Sequence, residues 1–256
     1  MLQRYGFLNG ERLSLVIGNH DIFGGIQKAE EILTFHEKCE GVHYKERVNN
    51  FISYFVETFD NCYYLSSKDF FPFAKRIDNT LLIGLNSVAP YSKLSNPFGS
   101  NGEISASQFG ELYELLKTAE NDVKYKIVMI HHHFNKIKTE AKSTFGSIWT
   151  NIEKQTMKLK NKRRLFTLSR EFNVDLVLHG HIHESKEYFR KGVRFLNAGA
   201  TIKSNKASVK INFLKLSKGD VRIEMDSVDL PIKLKTERSE KNKQELFKFI
   251  NASAVA

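Results

Sequence analysis

Three short apolar runs, residues 13–17, 126–130 and 174–178, each give way abruptly to a polar stretch rich in histidine. The first leads into Gly18-Asn19-His20-Asp21, the second into His131-His132-His133, and the third into His179-Gly180-His181-Ile182-His183. Seven of the nine histidines fall in these places, so their distribution is not that of scattered surface residues. Runs this short and this uniformly apolar are expected of strands buried on both faces, as in a parallel sheet. The carboxyl ends of such strands share one edge, and that edge is where open α/β sheets assemble their sites. The pattern therefore predicts an α/β fold that gathers residues distant in the chain.

The rest of the chain supports that class. Residues 80–85 form a fourth run of the same kind, and helical patterns lie between the runs. The clearest begins at Ser105, where Ser-x-x-Gln predicts a capping box ahead of Phe109, Leu112, Leu115 and Leu116. Others are expected over 26–38, 47–59 and 148–172, the last broken near Asn161. Downstream of Ser185 the period changes to two. Val209, Ile211 and Phe213 alternate with polar residues, and Lys218-Gly219-Asp220 turns the chain into Val221, Ile223 and Met225. These features predict an antiparallel hairpin that supplies most of a second sheet. With four prolines and fifteen glycines there is no composition-marked linker, so one domain is expected over residues 1–235, with a polar helix and tail over 236–256.

A net charge of +10 favours an anionic partner such as a phosphate ester. The densest basic stretches, 158–164 and 233–243, lack interleaved aromatics and read as solvated helix faces, so nucleic acid is a possible partner that nothing specific indicates. Two cysteines, Cys39 and Cys62, outside any C-x-x-C spacing, are expected to be packing residues of a reducing compartment. No apolar run reaches the roughly 18 residues of a membrane span, and the first residues show no apolar signal region, so a cytoplasmic protein without membrane contact is expected.

Imidazole is the commonest protein metal ligand and titrates near neutral pH, so converging histidine clusters can serve both coordination and proton transfer. In an extended His181-x-His183 segment both rings would point the same way, each able to face one of two neighbouring ions, with Gly180 allowing a tight turn beside them. Asn19 offers a neutral carbonyl oxygen, and His20 beside it is left to act on a substrate. His36 and His43 lie in or near a helical pattern away from these edges and are not expected to take part.

Taken together, Gly18-Asn19-His20-Asp21, His131-His132 and Gly180-His181-Ile182-His183 resemble, in order and spacing, the third, fourth and fifth motifs of the calcineurin-like metallophosphoesterases. The resemblance covers residues 13–200 and implies an αββα two-sheet sandwich that lacks its first βα units. It implies hydrolysis of a phosphodiester or phosphomonoester by metal-activated hydroxide. The organisation is most similar to small phosphodiesterases of the cyclic-nucleotide type. A nuclease of the same superfamily and a non-catalytic binding module that keeps the fold are the alternatives.

Carried over by motif, Asn19, His131 and His181 would bind one metal, His183 the other, and His20 would assist the leaving group. His133 stands where a related motif has proline, which leaves open which residue of the triplet binds; His131 is the expected one. The family's D-x-H and G-D-x-x-D motifs are absent, and with them the carboxylate that bridges two ions. An intact member holds two divalent ions, Mn, Fe or Zn. Without the anionic bridge to offset repulsion between cations, this chain is expected to hold at most one, weakly, and to be a poor catalyst by itself. Substrate choice is expected in the loops 87–103 and 134–146, where Lys136, Lys138 and Lys142 either meet a phosphate or keep the loop soluble.

Overall fold

The computed structural model describes residues 3–25, 31, 34–66, 69–119, 122–134, 159–182, 185–199, 208–216 and 223–231. Its centre is a mixed six-stranded sheet. In chain order the strands are β1 (Phe73–Ile77), β2 (Thr80–Gly84), β3 (Tyr125–Met129), β4 (Leu176–His179), β5 (Lys186–Arg190) and β6 (Val193–Asn197). Their spatial order is β1-β2-β3-β4-β6-β5. The four central strands β2, β3, β4 and β6 run parallel, and β1 and β5 pair antiparallel at the two edges.

Period-two burial explains why both faces are covered. Leu81, Ile83, Val128, Val177 and Phe195 enter one core with Phe109, Leu112 and Leu116 of one helix and Leu165 and Phe166 of another. Those helices are α4 (Ala106–Thr118) and α5 (Lys162–Glu171), which follow the shorter α1 (Asn19–Phe23), α2 (Phe35–Glu40) and α3 (Tyr44–Tyr54). The opposite face carries Leu82, Tyr125, Ile127, Leu176 and Leu196, and against it pack Leu214, Leu216, Ile223 and Met225. These last belong to β7 (Ser208–Leu216) and β8 (Ile223–Pro231), an antiparallel second sheet of two strands. The expected mixed α/β architecture with two sheets is thus present, and the expected hairpin forms it. The edge strand β1 and the hairpin β5–β6, which extends the first sheet rather than the second, were not distinguished in the sequence.

Ser105 caps α4 as expected, its Oγ accepting Gln108 N–H at 3.2 Å. The reciprocal half of the capping box does not form. Gln108 instead clamps Asn86, accepting its N–H at 2.9 Å and donating to its carbonyl at 2.9 Å. Asn161, in the left-handed conformation (φ 59°), precedes α5 and marks the expected break. In the region read as one helix over 47–59, α3 ends at Tyr54 and Val56–Phe59 is a 3-10 turn. The upstream part of the helix expected over 148–172, most of the loop 134–146, the hairpin turn at 218–220 and the tail over 236–256 lie outside the described residues.

The first expected strand is not formed. Residues 13–17 are not a strand and join neither sheet. Strand geometry requires a ladder, and among the described residues no neighbouring strand offers one. The segment is tied by a side chain instead: the buried ammonium of Lys75 donates to the carbonyls of Gly10 (2.7 Å), Leu13 (3.2 Å) and Thr58 (3.0 Å).

Candidate metal centre

The parallel strands carry their histidines to one edge, and the ladder continues past the strand ends. Ile130 N–H donates to Leu178 O at 3.0 Å, Gly180 N–H to His131 O at 3.1 Å, and Ala198 N–H to His179 O at 2.7 Å. His131 and His181, fifty positions apart in sequence, therefore stand side by side with ring centroids 4.9 Å apart. The turn that aims His181 is its own: it adopts φ 78°, a left-handed conformation costly for a residue with a Cβ and the kind of strain that gathers at functional sites. Gly180 does not take a left-handed conformation, and a Cβ there would meet nothing within 4 Å among the described residues, so the tight turn expected of it is made by its neighbour. The extended His181-x-His183 geometry is likewise not found at His181, and His183 itself lies outside the described residues.

The third member arrives from the irregular segment. Gly18 packs its backbone against His131, so closely that an added Cβ would sit 2.9 Å from the ring. Its N–H donates to Asp21 Oδ2 at 2.8 Å, which closes the first turn of α1 and occupies that carboxylate oxygen. Burial raises the Asp21 pKa, with the Gly18 N–H pulling the other way. Asn19, at the start of α1, is buried and brings Oδ1 to 2.8 Å from His131 Nε2. The same nitrogen lies 3.0 Å from His181 Nδ1.

These two contacts cannot both be ordinary hydrogen bonds. Asn19 Oδ1 accepts only, so His131 Nε2 must carry the hydrogen; it then has no lone pair for an N–H from His181. No pairing of tautomers gives each contact a hydrogen of its own. A cation would take all three lone pairs at once, and an amide oxygen with two imidazole nitrogens is a donor set that borderline divalent metals accept. Burial, followed by the neighbouring histidines His132 and His131, pushes the His181 pKa well below the usual imidazole range, so the ring is neutral as ligation requires. His181 Nε2 is buried with no hydrogen-bond partner among the described residues.

The remaining residues divide. His20 is exposed beside Asn19, its ring lying over Gly25 and near enough for its charge to be felt at His181. His133 is buried and stacks on His181 with ring centroids 5.5 Å apart. His179 donates to nothing in the trio; its Nε2 accepts from the Tyr188 hydroxyl at 2.6 Å, and burial among Phe134, Phe195 and Tyr188 lowers its pKa to about 3. His36 lies in α2 and His43 at the N-terminal end of α3, without a side-chain capping bond. Cys39 and Cys62 are free thiols, and burial pushes that of Cys39 up to about 11, as befits a packing residue. No helix among the described residues is long and apolar enough to cross a membrane.

Of the two loops expected to select substrate, 87–103 is buried in part, with Tyr91, Ser92, Pro97 and Phe98 half-buried. Ser87, Val88, Ala89, Asn96 and Gly99–Gly102 are buried, leaving Pro90, Lys93, Leu94, Ser95 and Glu103 exposed.

A model of the calcineurin-like phosphoesterase family matches residues 2–185. The chain belongs to that family. This is a family of metal-dependent phosphoesterases, and the Gly18–Asp21, His131 and Gly180–His183 motifs of this member all fall within the matched residues. Among curated proteins none matches the sequence. Among solved structures, a putative 5′-nucleotidase from Staphylococcus aureus is similar at 14% identity and TM-score 0.40, covering 90% of this chain and 40% of its own. GAP50, the anchor in the inner membrane complex of Plasmodium, is similar at 15% identity and TM-score 0.29, covering 68% of this chain and 57% of its own. A Vps29 double mutant from Entamoeba histolytica shows 10% identity and TM-score 0.18 over 46% of this chain and 88% of its own. The chain spans less than half the length of the first of these and somewhat more than half of the second.

The family's metal dependence fits the Asn19, His131 and His181 donors for one ion. For a second the described residues do not suffice: among them no group of three or more His, Cys, Asp or Glu side chains is assembled to hold a metal. The trio itself includes only two residues of those types, its third donor being an amide.

Proposed function

We propose that this chain binds one divalent cation through Asn19 Oδ1, His131 Nε2 and His181, and that this centre serves phosphate-ester hydrolysis with His20 as proton donor to the departing oxygen. The observation that carries the reading is the convergence of Asn19 Oδ1, His131 Nε2 and His181 Nδ1 at 2.8 and 3.0 Å, where no pair of tautomers gives each contact a hydrogen of its own. A cation held there supplies Lewis-acid activation of water and neutralises charge on the phosphate. The chain's own part is positional. Burial keeps His181 neutral and its lone pair available, Asp21 holds the turn that presents Asn19, and His20 reaches solvent from the next position on α1. An exposed imidazole with access to both water and the site is suited to proton transfer near neutral pH. His183 is proposed as a ligand of a second ion on the motif resemblance alone. The substrate class is a phosphodiester of the cyclic-nucleotide kind, and the location cytoplasmic, on the same sequence grounds.

A second reading, a module that keeps the fold without turnover, is favoured by one finding: no carboxylate-containing metal cluster is assembled among the described residues. One experiment separates the two. Purified full chain is titrated with Co²⁺ and Mn²⁺ and assayed on bis-p-nitrophenyl phosphate. Metal binding lost in Asn19→Ala and His181→Ala, with turnover that His20→Ala lowers while leaving metal in place, is the expected result. Metal bound without turnover selects the module. Metal affinity unchanged in all three variants overturns the centre.

A further inference from the structure

His132, the middle histidine of the triplet, has partners for both ring nitrogens and for its backbone N–H inside the protein. Its Nε2 lies 3.2 Å from the Ser100 carbonyl, which only accepts, so that nitrogen carries the hydrogen. Its Nδ1 then accepts from the Ser87 hydroxyl at 2.8 Å, and the His132 backbone N–H donates to the same Ser87 oxygen at 3.3 Å. The ring is fully buried, and both proposed ligand rings pack on it: the His131 centroid is 5.1 Å away and that of His181 4.6 Å.

The segment that carries Ser87 and Ser100 is itself densely hydrogen-bonded. The connection from β2 to α4 buries Asn86, Ser87, Asn96, Ser100 and Asn101, and satisfies its irregular backbone with its own side chains. Asn96 Nδ2 donates to Ala89 O at 3.0 Å while its Oδ1 accepts Asn101 N–H at 2.9 Å, and Asn101 Nδ2 donates to Ser95 O at 2.8 Å. From outside, Tyr44 holds Val88 O at 2.6 Å, and Gln108 holds Asn86.

We infer that His132 is a positioning residue, a back wall through which this buried platform fixes the orientation of the His131 and His181 rings, with the Ser87 hydroxyl setting its tautomer. The inference rests on the metal reading above for its consequence, but the geometry it describes exists without metal. Supporting groups behind ligands ordinarily alter metal affinity by about ten- to a hundred-fold. A buried core histidine that merely fills space would leave ligand orientation alone.

The test uses the full chain and Ser87→Ala, which deletes one atom at a buried position and keeps the ring; His132→Gln serves as a second variant. In metal-free protein, long-range ¹H–¹⁵N spectra of the imidazoles should show His132 protonated at Nε2, and Ser87→Ala should shift the His131 and His181 ring resonances. With Co²⁺, Ser87→Ala should raise the dissociation constant about ten-fold and change the d–d absorption band that reports coordination geometry. Ligand-ring resonances that superimpose on those of the unmodified chain in both variants overturn the inference, as does Co²⁺ bound by both with unchanged affinity and spectrum. If the unmodified chain binds no Co²⁺ while the ring resonances shift as expected, the metal reading falls and the positioning role stands.

Discussion

His131 and His181 stand on parallel strands whose ladder runs on past the strand ends, whereas Asn19 and His20 follow a segment, residues 13–18, that joins no sheet. On the sheet side, position is fixed by repeated backbone bonds and by two buried faces, and the side chains need only point. On the other side, three separate devices do that work: the Lys75 ammonium on three carbonyls, the Asp21 carboxylate on Gly18 N–H, and the bare Gly18 against the His131 ring. A ladder distributes its hold over many bonds. A clamp concentrates it in one residue, so single substitutions should harm the irregular half more than the strand-borne half.

The largest effect is expected at Lys75. Lys75→Met keeps the length of the stem but leaves the carbonyls of Gly10, Leu13 and Thr58 without their charged donor. Burial lowers this lysine's pKa, with Cys62 and Asp60 pulling the other way, and the three carbonyls take up its N–H groups. A loss of about 3 kcal/mol in urea denaturation is expected, from the cost of unsatisfied buried acceptors. Stability unchanged within error would mean the segment is held by something other than this clamp.

Next comes the contact between the two halves. Gly18→Ala suits the local backbone, which is extended at φ −107° and ψ 164°, so any cost is steric. The new Cβ would lie 2.9 Å from the His131 ring, and overpacking of about 2 kcal/mol is expected, with displaced His131 resonances and weakened Co²⁺ binding. Gly180→Ala is the matched control on the strand side. With nothing among the described residues within 4 Å of its Cβ it should change stability by no more than about 0.5 kcal/mol. Equal effects at the two glycines would erase the contrast between the halves.

The same contrast explains what could be read in advance. Parallel strands announce themselves by uniform apolarity, so β2, β3 and β4 and the edge that gathers His131 and His181 were legible from residues 80–85, 126–130 and 174–178. Residues 13–17 carry the same signal, but a strand exists only if a partner lies beside it, and partnership is not a local property of sequence. The clamps were invisible for a related reason. Lys75 lies on a strand the sequence did not mark, Gln108 reads as the second half of a capping box, and Ser87 and Ser100 fall in a loop expected to select substrate. Each takes its role from a group seventeen to sixty-five positions away in the chain, such as Gly10 for Lys75 or His132 for Ser87. The left-handed conformation of His181 likewise has no local signal, since a glycine stands next to it and would be the usual choice.

A smaller effect is expected within the strand-borne half at Tyr188 of β5. Its hydroxyl donates to His179 Nε2 at 2.6 Å, and burial raises its pKa, so it remains a donor throughout the physiological range. Tyr188→Phe deletes the bond to His179 together with the hydroxyl's contact to the Phe134 backbone, and leaves the aromatic packing against Phe195 in place. The expected cost is about 1 kcal/mol with Co²⁺ affinity unchanged, because His179 is not in the trio. A change in the Co²⁺ spectrum would show that this aromatic cluster reaches the centre after all.

The smallest effect lies at the foot of the same strands. Asp175, just before β4, accepts Lys126 N–H of β3 at 2.8 Å and returns its own N–H to Lys126 O at 2.9 Å. Burial raises its pKa above 3.8, against the opposing pull of that N–H and of the Lys126 charge. The folded state therefore holds this proton more tightly than the unfolded chain. The stability it contributes is complete below the unfolded pKa and is lost as pH rises through the folded one, so at about pH 7 the ionised carboxylate is a burden to the fold. Asp175→Asn keeps an acceptor oxygen for Lys126 and removes the charge. It should raise the melting temperature slightly at about pH 7 and not at all near pH 3, where the parent carboxyl is already protonated. A drop at neutral pH instead would mean that attraction to Lys126 outweighs burial, and that the sheet-borne half too depends on a single charged clamp.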